Sequence, residues 1–269
     1  MKIKRILNPV AQENTYILEN ESASLVIDPG SNTSSILAKL EAIAKPVAAI
    51  LLTHTHYDHI MSVEAVRQAY NHPPVYVAEA EKDWLMNPVH NLSGLPRHDD
   101  MEDVIVNPAD YYFDFIKDYN IGNFQFKVVP TPGHSIGGVS FIFEKEETVF
   151  SGDALFKEAV GRWDLPTGNH DQLLSSIQDQ LFTLPNHYRV FPGHGWDTTI
   201  GHEKIFNPHF FIKRKAHHCC SHFGKVGLFE LQKRRPEGLL IRNSFEFLFR
   251  FDIVNTICFR CNGFTEECS

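Results

Sequence analysis

The heptapeptide THTHYDH, residues 53–59, is the stretch around which this sequence of 269 residues is organised. Three imidazoles and one carboxylate fall within six consecutive positions: His54, His56, Asp58 and His59. Nitrogen and oxygen donors of this kind suit Zn²⁺, Fe²⁺ and Mn²⁺. A polar surface turn is the less favoured interpretation, because chance seldom gathers so many metal donors so tightly. The heptapeptide therefore predicts a metal site.

The residues before the heptapeptide predict how it is presented. Residues 47–53, VAAILLT, form a continuous apolar run, which is typical of a strand buried on both faces. Residues two apart at a strand end lie on one side, so His54 and His56 can face one ion. Asp58 and His59 lie where the next predicted helix begins, and there the chain can turn them toward a second position.

Three further potential ligands stand alone, each just beyond a predicted strand and beside a glycine. They are His134 in PTPGHS, Asp153 in FSGDAL and His194 in FPGHGW. Small neighbours let the backbone approach an ion closely. Taken singly, each would more often be an ordinary loop residue. Together with the heptapeptide they make seven ligands, enough for two ions with open positions, which distinguish catalytic from structural metal sites.

In type, order and approximate spacing, these seven residues resemble the metallo-β-lactamase-fold superfamily. The resemblance covers residues 1–208 and implies an α/β (α+β) fold, a four-layer αββα sandwich with the site at one edge of two stacked sheets. Predicted strands and helices along these residues fit two half-domains, each a sheet with helices on one outer face. We expect residues 1–208 to form the hydrolase domain and residues 209–269 to be an atypical extension.

The resemblance also implies two divalent metal ions, zinc by preference and iron or manganese as alternatives. The ligands of the first ion would be His54, His56 and His134. The ligands of the second ion would be Asp58, His59 and His194. Asp153 would bridge both ions, together with a water or hydroxide.

Within this superfamily, the chain is similar to short bacterial proteins of the glyoxalase II (hydroxyacylglutathione hydrolase) kind. Asp153 stands where class B β-lactamases typically have cysteine, and His59 as a second-site ligand favours glyoxalase II-like hydrolases. Residues 152–177, GDALFKEAVGRWDLPTGNHDQLLSSI, match the pattern GD-x-LF…GR-x-DLP of those proteins. The resemblance thus implies hydrolysis of a small-molecule thioester or ester.

The implied reaction uses metal-bound water, whose pKa Zn²⁺ can lower to about 7. A metal-bridging hydroxide would attack the thioester carbonyl. Asp58 would be a ligand first and an acid–base group second. Arg162 is a candidate substrate contact, because its guanidinium could bind a substrate carboxylate; alternatively, it pairs with Asp164 and braces the loop.

Other functions stay open at this stage. Persulfide dioxygenases share this fold and a similar GR-x-D stretch, but use one iron. A lactonase or another ester hydrolase is a further alternative. A nucleic-acid processor is disfavoured, because residues 1–210 hold 15 basic and 27 acidic residues and phosphate binding needs concentrated Lys and Arg. The sequence does not identify the thiol carrier or the oligomeric state.

Residues 211–269 differ in composition from the rest. They hold all five cysteines and a net charge of +4 within a chain of net charge −8. We interpret them as a frame-shifted, read-through or disordered extension rather than a selected domain. A metal module at residues 217–222 and 258–261, HHCC-x-H and C-x-x-C, and a partner- or substrate-binding extension are the alternatives.

The sequence shows no apolar run of the roughly 20 residues that a membrane-spanning helix needs. The first ten residues, MKIKRILNPV, lack the apolar segment and cleavage site of a signal peptide. We therefore expect a cytoplasmic protein that binds neither membrane nor nucleic acid.

Overall fold

Two six-stranded sheets stack face to face in the computed structural model, which describes residues 1–96 and 101–210. The first sheet runs β1-β2-β3-β4-β5-β6 in space, antiparallel up to β3 and parallel from there on. Its strands are β1 Lys2–Leu7, β2 Asn14–Glu19, β3 Ser24–Ile27, β4 Val47–Leu51, β5 Val75–Val77 and β6 Tyr111–Tyr112.

The second sheet runs β14-β13-β10-β9-β8-β7, and only its β10–β13 pair is parallel. Its strands are β7 Tyr119–Ile121, β8 Phe124–Pro130, β9 Val139–Phe143, β10 Thr148–Gly152, β13 Arg189–Pro192 and β14 Thr198–Thr199. Two short strands, β11 Leu155–Phe156 and β12 Ala159–Val160, form a separate hairpin.

The space between the sheets is filled by an aromatic-rich core. Leu18, Leu25 and Leu51 of the first sheet meet Phe141 and Phe150 of the second. Residues two apart in a strand point to the same face, so β8 and β9 each direct alternate large side chains inward, and β10 adds Phe150. Burial of this apolar surface holds the two halves of the chain together.

Helices cover both outer faces, which confirms the predicted four-layer αββα sandwich. Helices α1 Thr33–Ile43 and α3 Val63–Ala69 pack on the first sheet through Ile36, Leu40 and Val66. The second sheet is covered by α4 His170–Ser176, its π-helical continuation Ile177–Leu181, and α5 Ile200–Phe206. The stacked strand ends leave one edge of the sandwich open for the metal-binding candidates.

The sequence HIMSVEAVRQAY, residues 59–70, predicts one helix after the heptapeptide, whereas the structure has two, α2 Tyr57–Ile60 and α3. Ser62 lies at the break: its amide donates to the Pro29 carbonyl at 2.8 Å, and its hydroxyl donates to the Gly30 carbonyl. These bonds hold Ser62 against the β3–α1 loop and interrupt the hydrogen-bond pattern of a continuous helix. The break is a tertiary effect that hydrophobic periodicity does not signal.

The proposed division at residue 208 is not tested, because residues 211–269 lie outside the described part of the chain. The interpretations of that extension, including the cysteine–histidine module, therefore stay predictions. Among residues 1–96 and 101–210, no helix is long and apolar enough to cross a membrane.

Candidate metal centre

The candidate ligands gather at one edge of the sandwich, because each follows a strand that ends there. The heptapeptide continues from β4, while His134, Asp153 and His194 follow β8, β10 and β13. Backbone hydrogen bonds join the two sheets at this edge: Val139 donates to Thr53 at 2.8 Å, and Asn14 donates to Gly193 at 2.7 Å. Ligands from both halves are thus held against one another.

The first group contains three buried imidazoles, His54, His56 and His134, whose donor atoms lie within 4.8 Å of one another. The Nδ1 atom of His56 lies 2.9 Å from Nε2 of His134. His54 and His56 come from the short extended segment after β4, as the spacing of two residues predicts. The ring nitrogens converge on one point, which is the geometry that a single divalent ion needs.

The second group consists of Asp58, His59 and His194, and it satisfies the same 4.8 Å limit. Asp58 and His59 lie in α2, so the helix start places them at a second position beside the first group, with the His59 ring centroid 4.2 Å from that of His54. An Asp58 carboxylate oxygen lies 3.5 Å from Nε2 of His194 and 3.8 Å from Nε2 of His59.

Asp153 lies between the two groups. Its Oδ2 atom is 3.4 Å from Nε2 of His134 and 3.3 Å from Nε2 of His194, while Oδ1 is 3.4 Å from Nε2 of His59. One carboxylate therefore faces both candidate ion positions. The structure brings all seven predicted side chains together; their role as metal ligands stays a prediction.

Three buried atoms provide a test of whether these residues fit metal ions. His54 Nε2, His59 Nε2 and Asp153 Oδ1 are buried and make no hydrogen bond, although the last two lie 3.4 Å from each other. A buried polar atom without a partner is costly, on the order of 1–3 kcal/mol. Coordination to a divalent ion would satisfy each of them, so the donor set fits a pair of ions.

Burial and charge act strongly on the ionisation of this cluster. Burial, with the neighbouring His59, holds the pKa of His54 well below its usual range. For Asp153, burial is outweighed by His194, His59 and His134, which hold its pKa well below normal. A neutral imidazole is the form that binds metal, so the low pKa of His54 favours ligation. For His59 and His194, burial is outweighed by the neighbouring aspartates, which raise the pKa of both rings and disfavour the neutral form until an ion displaces the proton.

A layer of supporting groups, not singled out by the sequence, orients the heptapeptide. Asp28, beyond β3, accepts from the Thr53 amide at 2.8 Å and the Thr53 hydroxyl at 2.6 Å. It also lies 3.0 Å from Nδ1 of His59. A carboxylate behind a ligating histidine holds the ring orientation and raises its basicity. Asp28 has a φ of +49°, an unusual backbone conformation for a residue other than glycine.

Glu81 ties the heptapeptide to the loop that carries His134. One carboxylate oxygen accepts from the amide and hydroxyl of Thr55, both at 2.8 Å, and the other accepts from the Gly137 amide at 2.7 Å. Glu81 is fully buried. Its carboxylate therefore bridges two ligand-bearing segments that belong to different sheets.

Glu13 forms a second buried carboxyl group behind His59, 3.8 Å from its Nδ1 atom. Glu13 Oε2 accepts from Asn8 Nδ2 at 2.5 Å. Burial raises the pKa of Glu13 well above its usual range. Glu13, Asp28 and Glu81 come from distant parts of the chain, and isolated acidic residues of this kind carry no local signal in the sequence.

The two remaining histidines are oriented by backbone carbonyls. Nδ1 of His134 lies 2.8 Å from the Arg162 carbonyl oxygen, and Nδ1 of His194 lies 3.1 Å from the Ala11 carbonyl oxygen. A donated Nδ1 proton would leave Nε2 free for coordination. The backbone of residues 161–164, GRWD, thus orients His134 of the first group, whichever role the Arg162 side chain has.

A cleft of about 290 Å³ opens onto the two groups. Its walls combine His56, Asp58, His134, Asp153 and His194 with Ala11, Tyr57, Leu92, Phe156, Arg162 and Leu165. The Arg162 guanidinium makes two hydrogen bonds of 2.9 Å to Asp164, and both side chains are exposed. Arg162 therefore lines the cleft and pairs with Asp164 at once, so both sequence-based interpretations are compatible with its position.

Residues 133–137, GHSIG, match the G-x-S-x-G spacing of serine hydrolases. In those enzymes the serine hydroxyl is exposed at a sharp strand-to-helix turn. Here Ser135 is fully buried, and it is not among the residues that line the cleft. The spacing therefore does not produce a serine nucleophile, and the neighbouring His134 belongs to the metal-binding candidates.

Comparison with known proteins places this site in a family. The family model of the metallo-β-lactamase superfamily matches residues 8–194. A probable metallo-hydrolase of Streptococcus pyogenes is 57% identical over 78% of this chain and 90% of its own length. The hydroxyacylglutathione hydrolase GloC of Haemophilus influenzae is 29% identical over 80% of this chain and 100% of its own length.

Solved structures show the same fold. The B3 metallo-β-lactamase BLEG-1 has a TM-score of 0.74 and 39% identity, over 78% of this chain and 100% of its own. TTHA1623 in a di-iron-bound form has a TM-score of 0.66 and 33% identity, over 76% of this chain and 98% of its own. ETHE1 from Myxococcus xanthus has a TM-score of 0.59 and 25% identity, over 82% of this chain and 93% of its own. On its fold, its strand-end donor cluster and these matches, the chain belongs to the metallo-β-lactamase superfamily.

Proposed function

We propose that this metal-dependent hydrolase holds two divalent ions and hydrolyses a small-molecule thioester, in the manner of glyoxalase II. The observation that carries the proposal is Asp153, whose two carboxylate oxygens face imidazoles of both donor groups within 3.4 Å. An aspartate in this bridging position provides donors for two neighbouring ions. Zinc is the ion that we propose, with iron or manganese as alternatives; TTHA1623 is a related protein in a di-iron-bound form.

The choice of a thioester is supported by a relative and by residue type. GloC, named a hydroxyacylglutathione hydrolase, matches 80% of this chain with 100% of its own length. The second group uses His59 and His194 with Asp58, and the bridging residue is Asp153, the set that resembles glyoxalase II-like hydrolases. A cleft of about 290 Å³ lies near the lower limit for ligand pockets and suits a small substrate group.

Bound ions would lower the pKa of water and polarise the substrate carbonyl. The residues of the chain then have two tasks. The histidines hold the reacting centre against buried walls. Asp58 lines the cleft and can accept a proton from water or return one to the departing sulfur. Water oxygen adds to the carbonyl carbon, the C–S bond breaks, and a thiol leaves with the proton; a thiol pKa of about 8.5 makes that departure easy.

Arg162 is the proposed contact for an anionic group of the substrate. Arg162 lines the cleft and its side chain is exposed, so a substrate carboxylate can reach it. The bidentate pairing with Asp164 holds the guanidinium plane in place. Replacement by lysine would keep the charge but lose the planar fork, so we expect a higher KM with little change in kcat.

The test is a combined metal and activity measurement on one purified sample of the full chain. Bound metals are quantified, and loss of thioester absorbance is followed with S-D-lactoylglutathione. We expect about two metals per chain and turnover that falls on the order of 10²-fold or more in Asp153→Ala. Asp171→Asn is the control, because this carboxylate is exposed on α4 and does not line the cleft.

Other outcomes separate the alternatives. Two metals per chain without thioester turnover would reject this substrate and direct the search to lactones and other esters. One iron per chain without turnover would overturn the proposal in favour of a mononuclear iron oxidoreductase, to be tested by oxygen uptake. The likeness to ETHE1 gives that alternative some support.

A further inference from the structure

Leu92 is one of two residues in the wall of the cleft with a left-handed backbone, and it has the bulkier side chain; the other is Ala11. Leu92 has a φ of +70°, in the left-handed region that bulky side chains rarely adopt. It is buried, with 2% of its surface exposed, and it lines the cleft together with His56 and Asp58. Strained backbone conformations persist only where the surroundings enforce them, and they concentrate at functional sites.

The enforcing contacts come from Asn91 and Ser93, the residues on either side of Leu92. The Asn91 side-chain oxygen accepts from the Ser93 amide at 3.0 Å and from the Ser93 hydroxyl at 2.7 Å. This closes a turn of which Leu92 is the central residue. Both flanking residues are buried, so the turn has little freedom to relax.

The same turn is tied to the metal-binding segment and to a neighbouring loop. The Tyr57 amide, at the start of α2, donates to the Asn91 carbonyl at 2.9 Å. The Asn91 side-chain amide donates to the Val104 carbonyl at 2.8 Å, and the Val104 amide donates to the Ser93 hydroxyl at 2.9 Å. The position of Leu92 is therefore set relative to Asp58 and His59, which follow Tyr57 directly.

We propose that Leu92 is a specificity-determining residue: its side chain forms the apolar wall against which the acyl group of the substrate packs, and it limits that group to a short chain. The proposal rests on the proposed function, since it concerns the acyl half of the thioester. Phe156 and Leu165 extend the apolar lining of the cleft. Arg162 lines the same cleft and provides a positive charge for the anionic thiol half of the substrate. The substrate class is a short-chain acyl thioester of an anionic thiol.

Two substitutions distinguish the effect of the Leu92 side chain from the effect of its left-handed backbone. Leu92→Gly removes the wall and relieves the left-handed strain, whereas Leu92→Ala removes the wall and keeps the strain. Both should open the same space, although Leu92→Gly should be the more stable of the two. Ala44→Gly is the matched control, because Ala44 also has a left-handed backbone, with φ +53°, and lies at the end of α1.

The experiment measures equilibrium binding of acetate, butanoate, hexanoate and octanoate to the metal-loaded full chain by calorimetry. Hydrolysis of the matching acyl-glutathione thioesters is measured in parallel. We expect the wild type and Ala44→Gly to discriminate against the longer chains. Both Leu92 variants should bind octanoate about tenfold more tightly than the wild type does, because burial of each added methylene contributes about 0.8 kcal/mol.

Identical chain-length profiles in the wild type and both Leu92 variants would overturn the proposal, whatever the activity. A changed profile in Leu92→Gly alone would also overturn it, since backbone strain would then be the cause. If the binding profile shifts in both variants but no thioester is hydrolysed, Leu92 shapes the cleft as proposed and the proposed reaction is wrong. The two failures are therefore distinguishable.

Discussion

The two halves of the sandwich contribute to the candidate metal centre in different ways. The first half provides four donors from one continuous heptapeptide that runs from the end of β4 into α2. The second half provides three donors, His134, Asp153 and His194, from the ends of three different strands. One contribution is set by local chain geometry, and the other by the order and register of strands in a sheet.

This difference indicates which substitutions should affect the donors of each half. The heptapeptide needs groups behind it, such as Asp28 and Glu81, to hold rings that the chain already places close together. The isolated donors need the packing of their loops, because nothing nearby in the sequence orients them. Substitutions in the first half should therefore alter metal binding first, and those in the second half should alter folding as well.

The largest effect is expected for Gly133→Ala, which would disturb the loop that carries His134. An added Cβ would lie 2.3 Å from the Leu173 backbone nitrogen of α4, and φ is +128°. We expect a loss of about 3 kcal/mol in the free energy of unfolding, measured with urea. Gly195→Ala is the control, because its φ is +78° but no atom lies within 4 Å of the new Cβ. Equal losses in both variants would contradict the packing argument.

Asp28→Asn should weaken metal binding in the first half with little change in the fold. Asparagine tolerates the left-handed backbone of this position, so the substitution removes the charge behind His59 and one of the two oxygens that accept hydrogen bonds there. We expect about 10- to 100-fold weaker affinity, measured by competition with a chelator. Unchanged affinity would show that the heptapeptide needs no charged support.

Ala44→Gly should be mildly stabilising, because it lies in the first half but far from any candidate ligand. Its left-handed backbone caps α1, with the amide 3.0 Å from the Glu41 carbonyl oxygen. Relief of strain should exceed the added entropy of the unfolded chain by about 0.5 kcal/mol, visible as a higher Tm. A lower Tm, or a change in metal content, would argue against this separation of cap and site.

The smallest effect is expected for Glu19→Gln, at the C-terminal end of β2. Hydrogen bonds from Lys4 and Lys45 lower the pKa of Glu19 to about 2. Because the folded pKa lies below the unfolded value, the stabilisation is present above about pH 4.5 and is lost as the pH falls toward 2. The variant should therefore be less stable than the wild type at pH 7 and equal to it near pH 2. A difference in Tm that persists at pH 2 would contradict this sign.

The fold and the candidate donors could be predicted because their signals are local. The heptapeptide is contiguous, the buried strand before it is continuous, and the helical face of α1 repeats at helical spacing. His134, Asp153 and His194 were found because each follows a strand and stands beside a glycine, and because their order resembles a known superfamily. Their convergence could not be derived from spacing alone.

The rest depends on contacts between distant residues. Glu81 reaches Thr55 across 26 positions and Gly137 across 56, and single glutamates give no sign of such bonds. The break between α2 and α3 depends on Ser62 and the β3–α1 loop. The left-handed Leu92 depends on a turn closed by its neighbours. Each is a tertiary or turn effect that hydrophobic periodicity does not contain.

The most direct test of the account is the number of metal ions per chain in the wild type and in Asp58→Ala, measured by elemental analysis after loading and desalting. Asp58 belongs only to the second donor group, while the first group keeps all three histidines. We predict two ions in the wild type and one in the variant, with Asp171→Asn retaining two. One ion in both proteins, or two in both, would contradict the assignment of two donor groups joined by Asp153.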